Sequence, residues 1–284
     1  MKILVTGAQG QLGRDVVRVL GKNHNVLGLG RLELDITDLE QCQYRIEEFR
    51  PDAVIHCAAY TAVDKAETDE DQAYLINANG TRNIAVASER IGSKFCYIST
   101  DYVFDGNAAS PYREYDNTNP MSIYGKSKRA GEILTQSLSS KYYIVRTSWV
   151  YGLYGNNFVK TMLELSKTRD QLHVVNDQVG SPTFTQDLAI FLGELVATDK
   201  YGIYHATNSG NCSWYDFAKA IFEEHGLTTV ISPCTTEEFR RPAPRPQYSV
   251  LEQMSLRTNG FNELRHWREA LIDFLQQQEC LYEA

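Results

Sequence analysis

Lys2-Ile-Leu-Val-Thr6-Gly7-Ala-Gln-Gly10-Gln-Leu-Gly13 opens the chain, and the order of residue types in it decides the fold. Residues 2–6 are an apolar run of strand length. Three glycines follow, and Val16, Val17, Val19 and Leu20 then recur with helical spacing. Strand, glycine turn and helix in this order form a dinucleotide-binding unit: glycines allow a tight turn and close backbone approach to a pyrophosphate, while the helix N-terminus offers free N–H groups to the anion. The first glycine step is one residue longer than in the standard fingerprint, but the flanking strand and helix supply the context that a glycine triplet alone lacks. Gly7, Gln9, Gly10, Gln11, Leu12 and Gly13 are therefore candidate cofactor-binding residues.

Outward from this unit the pattern repeats. Asn25–Gly30 and Ala53–Cys57 read as the second and third strands, a long helical stretch spans Glu67 to Ile91, and Phe95–Thr100 and Tyr142–Arg146 read as further strands. Leu172–Val175 is expected as another parallel strand. Regular alternation of strands and helices predicts an α/β fold, a Rossmann-type doubly wound parallel sheet. From Tyr201 the alternation loses its regularity, with short strand-like pieces (203–205, 229–231) between helices near 213–225 and 261–278. This predicts a smaller C-terminal α/β substrate lobe. The expected division is a dinucleotide-binding domain over 1–148, with 172–200 returning to it, and a substrate-binding lobe from 149–171 and 201–284. At the end of the second strand stand Gly30 and Arg31. An acid there would bind the ribose 2′-hydroxyl of NADH, and an arginine suits the 2′-phosphate of NADPH, so NADPH is expected, with NADH the alternative.

The chemistry is expected in the middle of the chain. Tyr124-Gly-Lys-Ser-Lys128 opens a helical run, and positions four apart share a helix face. A phenol has an ordinary pKa of about 10; a nearby ammonium would stabilise its ionised form and bring it towards working pH as a proton donor to a carbonyl oxygen. Ser99 and Thr100 end a strand. In an open parallel sheet that end faces the ligand crevice.

These three stretches resemble the extended short-chain dehydrogenase/reductase family, whose proton donor, lysine and hydroxyl partner fall on Tyr124, Lys128 and Thr100. Longer runs, Ala58–Glu67, Ser99–Gly106, Arg146–Tyr151, Asn156–Met162 and Asn176–Thr183, are similar to the dTDP-4-dehydrorhamnose reductases, and the similarity extends from residue 2 to about 275. The resemblance implies that Asp35 and Ile36 contact the adenine and that Ala58, Ala59 and Tyr60 line the cofactor. It also places Asn77 near bound water, although a buried amide tying its helix to the fourth strand explains that residue as well. Thr61, Val63, Asp101, Tyr102, Trp149, Asn157 and Arg245 are implied as substrate contacts. The implied reaction is NAD(P)H-dependent reduction of the 4-keto group of dTDP-6-deoxy-L-lyxo-4-hexulose to dTDP-L-rhamnose. Related 4,6-dehydratases carry Asp-Glu after the active-site threonine; here Thr100-Asp101-Tyr102 lacks the glutamate. A 4-epimerase of the same fold and a noncatalytic subunit like that of methionine adenosyltransferase remain the alternatives. Some family members dimerise through a metal held by glutamates; Asp15 follows the glycine turn here, and no metal is expected.

The remaining features set the class. The 284 residues carry 43% hydrophobic and 23% charged residues with a net charge of −8, a globular composition that disfavours nonspecific nucleic-acid binding. No run approaches the eighteen apolar residues of a membrane span, and residues 1–20 lack the layout of a secretory signal. Six cysteines without a Cys-x-x-Cys pair read as reduced thiols. The expectation is a cytoplasmic monomer or homodimer acting on a small nucleotide-sugar, with neither nucleic-acid nor membrane partners.

Overall fold

The computed structural model describes residues 1–283, with side chains as far as residue 280. Strand β1 (Lys2–Thr6) leads into helix α1 (Gln11–Leu20), followed by β2 (Asn25–Leu29), α2 (Leu39–Phe49) and β3 (Ala53–His56). Asp38, the nearer of the residues before α2, caps it by accepting from the Gln41 N–H. The stretch expected as one long helix breaks into α3 (Val63–Ala66), α4 (Glu70–Tyr74) and α5 (Thr81–Arg90), the last two joined by a wide π-helical turn over Leu75–Gly80. Such turns reposition side chains inside an otherwise continuous helix, and this one carries Asn77.

Next come β4 (Lys94–Thr100), a single 3-10 turn at Asp101–Val103, α6 (Ile123–Leu138) and β5 (Tyr142–Thr147). Residues 148–200 supply β6 (Val150–Tyr151), α7 (Phe158–Ser166), β7 (Gln171–Val175), β8 (Val179–Gly180), β9 (Thr183–Phe184) and α8 (Thr185–Val196). The rest contains β10 (Gly202–His205), β11 (Asn208–Ser209), β12 (Cys212–Ser213), α9 (Trp214–Glu224), β13 (Val230–Cys234), α10 (Met254–Thr258), β14 (Leu264–His266) and α11 (Trp267–Glu283).

Six strands form one parallel sheet in the order β10-β5-β4-β3-β1-β2. Both of its faces are covered. Ile3, Val5, Ile55 and Val145 pack beneath α1 and α8, while Leu4, Val54, Phe95 and Ile144 face α2 and α5. This explains why the strands read as continuous apolar runs rather than as alternating ones. The order reverses between β1 and β3, so the ligand crevice of an open sheet opens beyond their carboxyl ends.

Two segments depart from the expected division. Gln171–Val175 does not join the main sheet but pairs in parallel with β13, in the lobe. Its Gln171 and His173 are exposed while Leu172 and Val174 are buried, an alternation suited to a half-solvated strand and unsuited to a central parallel one. Conversely β10, expected in the lobe, adds the sixth main-sheet strand beside β5, and Leu256 of α10 joins the core beneath it. Residue 284 lies outside the described residues. The lobe has its own core, in which Tyr151, Phe184, Phe217 and Phe274 pack with Val159 and Ile221.

Candidate active site

A cleft of about 960 Å3 runs from the glycine turn, across the ends of β1, β3, β4 and β5, to the edge of the lobe. Its first end is shaped by backbone. Gly7 has φ +64°, and a Cβ there would lie 2.6 Å from the Ala58 nitrogen; one on Gly13 would lie 2.2 Å from the Gly7 oxygen. Only glycine fits either position. Gly10 stands at the N-cap of α1 and brings no side chain to cap it, leaving the helix N-terminus open to an anion. Gln9, Gln11, Leu12, Arg31, Asp35, Ile36, Ala58 and Ala59 line the same end. A cradle that any side chain would fill, an uncapped helix and small residues at the third strand end fit a dinucleotide.

The other end gathers the titratable groups. Ser122 caps α6 by accepting from the Gly125 N–H, which fixes where the helix begins and puts Tyr124 and Lys128 in its first turns. Tyr124, Lys128, Thr100, Asp101, Tyr102, Thr61, Val63 and Trp149 all line the cleft. The Lys128 ammonium donates to the Ile98 carbonyl at 2.6 Å and sits 4.1 Å from the centre of the Tyr97 ring. Burial brings its pKa down to about 7, with Glu132 opposing. The Tyr124 phenol is pushed up to about 12 by burial, against a lowering hydrogen bond to Thr100. The expected lowering of the phenol by Lys128 is thus not realised in the chain by itself, because the ammonium is spent on Ile98 and Tyr97. Beneath the site, Arg146 holds Glu132 with two bonds of 2.8 and 2.9 Å, and Ser99 donates to the same carboxylate at 2.6 Å. The pair is fully buried and locks α6 to β4 and β5.

Four expected site residues are placed elsewhere. Asn77 is 1% exposed; its Oδ1 accepts from the Tyr60 N–H, and its Nδ2 donates to the Tyr60 carbonyl and Ser127 Oγ. It ties the loop after β3 to α6. The Tyr60 side chain donates to Asp69 and does not line the cleft. Asn157 caps α7 and donates to Gln11 and the Gly152 carbonyl, which commits its amide to joining the lobe to the glycine turn. Arg245 is not among the residues that line the cleft; it pairs with Asp64 at 2.9 Å and lies 6.0 Å from the centre of the Tyr102 ring.

The sequence reading missed other residues. Thr147 and Ser148 line the cleft at the end of β5; the strand-end rule that selected Thr100 would have found them. Glu33 lies beyond the strand end and curls back, its carboxylate accepting from the Gly30 N–H at 2.8 Å and from Gln9 at 3.4 Å. An acid therefore does stand where Gly30 and Arg31 had suggested none. Trp149 adopts φ +47°, rare for a bulky residue and costing about 1–3 kcal/mol. Its ring is held in the cleft wall by stacking on Trp214 at 3.6 Å and 6°. Among the described residues, no group of His, Cys, Asp and Glu could hold a metal, and no helix is long and apolar enough to cross a membrane.

A parallel sheet with a glycine-turn cradle at one end of its crevice and a tyrosine, lysine and threonine at the other defines an oxidoreductase of the short-chain dehydrogenase/reductase type. The chain matches the model of the RmlD substrate binding domain family over residues 1–280 and belongs to that family. It is 48% identical to the spore coat polysaccharide biosynthesis protein SpsK of Bacillus subtilis, over 98% of both chains. It is 43% identical to a dTDP-4-dehydrorhamnose reductase of Aggregatibacter actinomycetemcomitans, over 95% of this chain and 97% of that one. A crystal structure of dTDP-4-dehydrorhamnose reductase from Bacillus anthracis in complex with NADP superimposes with a TM-score of 0.96 at 48% identity, covering 97% of this chain and 99% of that one.

Proposed function

We propose that this chain reduces the 4-keto group of dTDP-4-dehydro-6-deoxy-L-mannose to give dTDP-L-rhamnose, with NADPH as reductant. The observation that carries the reading is the meeting of Tyr124, Lys128 and Thr100 in one cleft with the glycine cradle, in a chain of the RmlD family. Bound NADPH supplies the hydride. Gly7 and Gly13 admit the pyrophosphate to the backbone of the turn, and the open end of α1 balances its charge. The main-sheet half of the molecule holds this cofactor, and the lobe closes over the nucleotide-sugar. Tyr124 donates the proton to the carbonyl oxygen as it gains charge. Lys128, 3% exposed and anchored on the Ile98 carbonyl, orients the ribose. Trp149, its ring set between Trp214 and Gly180, presents the part of its indole that lines the cleft to the sugar. Tyr102 fills the place of the dehydratase glutamate with its ring 5.5 Å from that of Tyr124, so no second carboxylate stands there to assist elimination.

Incubation of the protein with the 4-keto nucleotide-sugar and NADPH or NADH, followed by absorbance of the reduced nicotinamide, tests the reading. One equivalent of cofactor oxidised per sugar reduced is expected. Absence of oxidation with both cofactors rejects it, and conversion of the sugar without net cofactor use assigns an epimerase instead.

A further inference from the structure

Asp101 stands in the cleft wall at the same end as Tyr124 and Lys128, and its surroundings are unusual for a group with no partner of opposite charge. It is 2% exposed. Its Oδ1 accepts from the Thr100 hydroxyl at 2.9 Å; among the described residues its Oδ2, equally buried, has no partner at ordinary hydrogen-bond geometry. The Thr100 oxygen in turn accepts from the Tyr102 N–H at 3.2 Å, and its hydroxyl, in the same cleft wall as the Tyr124 phenol, pulls that phenol's pKa down against burial. Tyr124, Thr100 and Asp101 thus line one wall of the cleft as three groups with exchangeable protons, the last two hydrogen-bonded and ending in a carboxylate. The other conceivable carrier behind the dyad, Asn77, has both ends of its amide committed to Tyr60 and Ser127.

Resting on the reductase reading above, we propose that Asp101 is a positioning residue that resupplies the proton of Tyr124 through the Thr100 hydroxyl. As the substrate carbonyl carbon accepts the hydride, its oxygen takes the proton of Tyr124. The phenolate takes the proton of Thr100, whose oxygen takes one from the neutral Asp101 carboxyl. The O–H bonds of Tyr124, Thr100 and Asp101 each break once; those of product, Tyr124 and Thr100 form. The only net change in the protein is a deprotonated Asp101, which regains its proton from solvent when product leaves. Threonine suits the middle position because its hydroxyl can reverse direction by rotation alone.

Burial pushes the Asp101 pKa up to about 6, with the hydroxyls of Ser249 and Thr100 pulling it back down, so a protonated fraction exists near neutrality. The groups around it are Thr100 of β4, Tyr102 in its own turn, Tyr124 of α6 and Ser249 from the segment that follows Arg245. Arg245 and Asp64 reach this set only through Tyr102. Ser249 is itself 2% exposed and anchored by its N–H on the Val179 carbonyl.

The test is the pH profile of hydride transfer in single turnovers with saturating NADPH and the 4-keto nucleotide-sugar. Wild type is expected to lose rate above the pKa of Asp101. D101N should lower kcat by about 10-fold or more, the lower range for loss of a proton-transfer group, change KM by less than about 3-fold, and lose that limb. S249A removes a donor that lowers the Asp101 pKa and should move the limb to higher pH without abolishing turnover. This second variant separates Asp101 from Lys128 and keeps the test alive if D101N does not fold. A limb unchanged in D101N, a uniform loss of rate with the same profile, or a limb unmoved in S249A each overturns the relay while leaving the reductase reading intact. Absence of turnover by wild type overturns that reading, and the relay with it.

Discussion

Glu33→Gln is expected to tighten NADPH while leaving NADH unchanged or weakened. In the structure the Glu33 carboxylate accepts from the Gly30 N–H at 2.8 Å, at the end of β2 where an adenosine ribose would lie. Arg31, its neighbour in the same turn, lines the cleft. A 2′-phosphate placed there meets one favourable and one unfavourable charge. For unit charges about 5 Å apart the Coulomb energy is roughly 0.8 kcal/mol in water and about 3 kcal/mol at an effective dielectric of about 20. Glu33 and Arg31 are exposed, so the lower half of that range applies. At about 1.4 kcal/mol per decade this is a gain of roughly 4-fold to 20-fold in NADPH affinity. NADH should lose any hydrogen bond its 2′-hydroxyl makes to the carboxylate. Arg31→Ala should act in the opposite sense, weakening NADPH by roughly 10-fold or more, the worth of a charge-assisted contact. Fluorescence titration of each variant with both cofactors, at low and at high salt, measures these changes. The preference should shrink as salt screens the exposed charges. Equal effects of Glu33→Gln on the two cofactors, or a ratio indifferent to salt, would refute the electrostatic argument.

Three further outcomes are expected. Tyr124→Phe should bind NADPH nearly as wild type and lose turnover by about 100-fold or more, checked by steady-state rates beside a cofactor titration. Glu132→Gln breaks the buried pair with Arg146 and should cost roughly 3–5 kcal/mol of stability by denaturant unfolding, because it leaves a buried guanidinium uncompensated; a loss below about 1 kcal/mol would show that the pair is dispensable. The Lys128 pKa, about 7 in the folded chain and lowered from an ordinary 10.5, sets a pH dependence of definite sign. Between those values the unfolded chain holds the proton that the folded one has released, so wild-type stability should rise with pH through this window relative to Lys128→Met, by up to roughly 5 kcal/mol. Below pH 7 both states are protonated and the difference should level off.

What could be read from the sequence was what is local along the chain. The cradle at Gly7 and Gly13 is set by a turn of seven residues. The dyad on α6 needs only the helix repeat, and Thr100 needs only a strand end. What could not be read are the contacts in which a side chain answers to something distant. Asn77, Asn157 and Arg245 carry groups that suit a ligand, yet each is spent on a fixed partner, and nothing in a linear sequence says which donors will be consumed. Glu33 was passed over because its carboxylate returns to the strand end only after the chain turns back. Lys128 was expected to act on Tyr124, but the Ile98 carbonyl and Tyr97 ring that engage it come from β4, whose register against α6 no spacing rule provides. Gln171 and His173 did carry a readable signal, since two polar residues at alternate positions are incompatible with a strand buried on both faces.

The stacked pair of Trp149 and Trp214 has an optical consequence. Of the chain's three tryptophans, these two lie face to face with their centres 3.6 Å apart, close enough for their transitions to couple and give a paired signal in near-ultraviolet circular dichroism. Only Trp149 of the two lines the cleft; the third, Trp267, is 7% exposed and packed in the lobe core. A sugar settling against the part of Trp149 that lines the cleft would therefore perturb one member of a coupled pair over a nearly constant background. The protein carries its own label at the sugar end of the cleft, separate from the nicotinamide absorbance that reports the chemistry, so arrival of substrate and transfer of hydride can be timed independently in one mixing experiment.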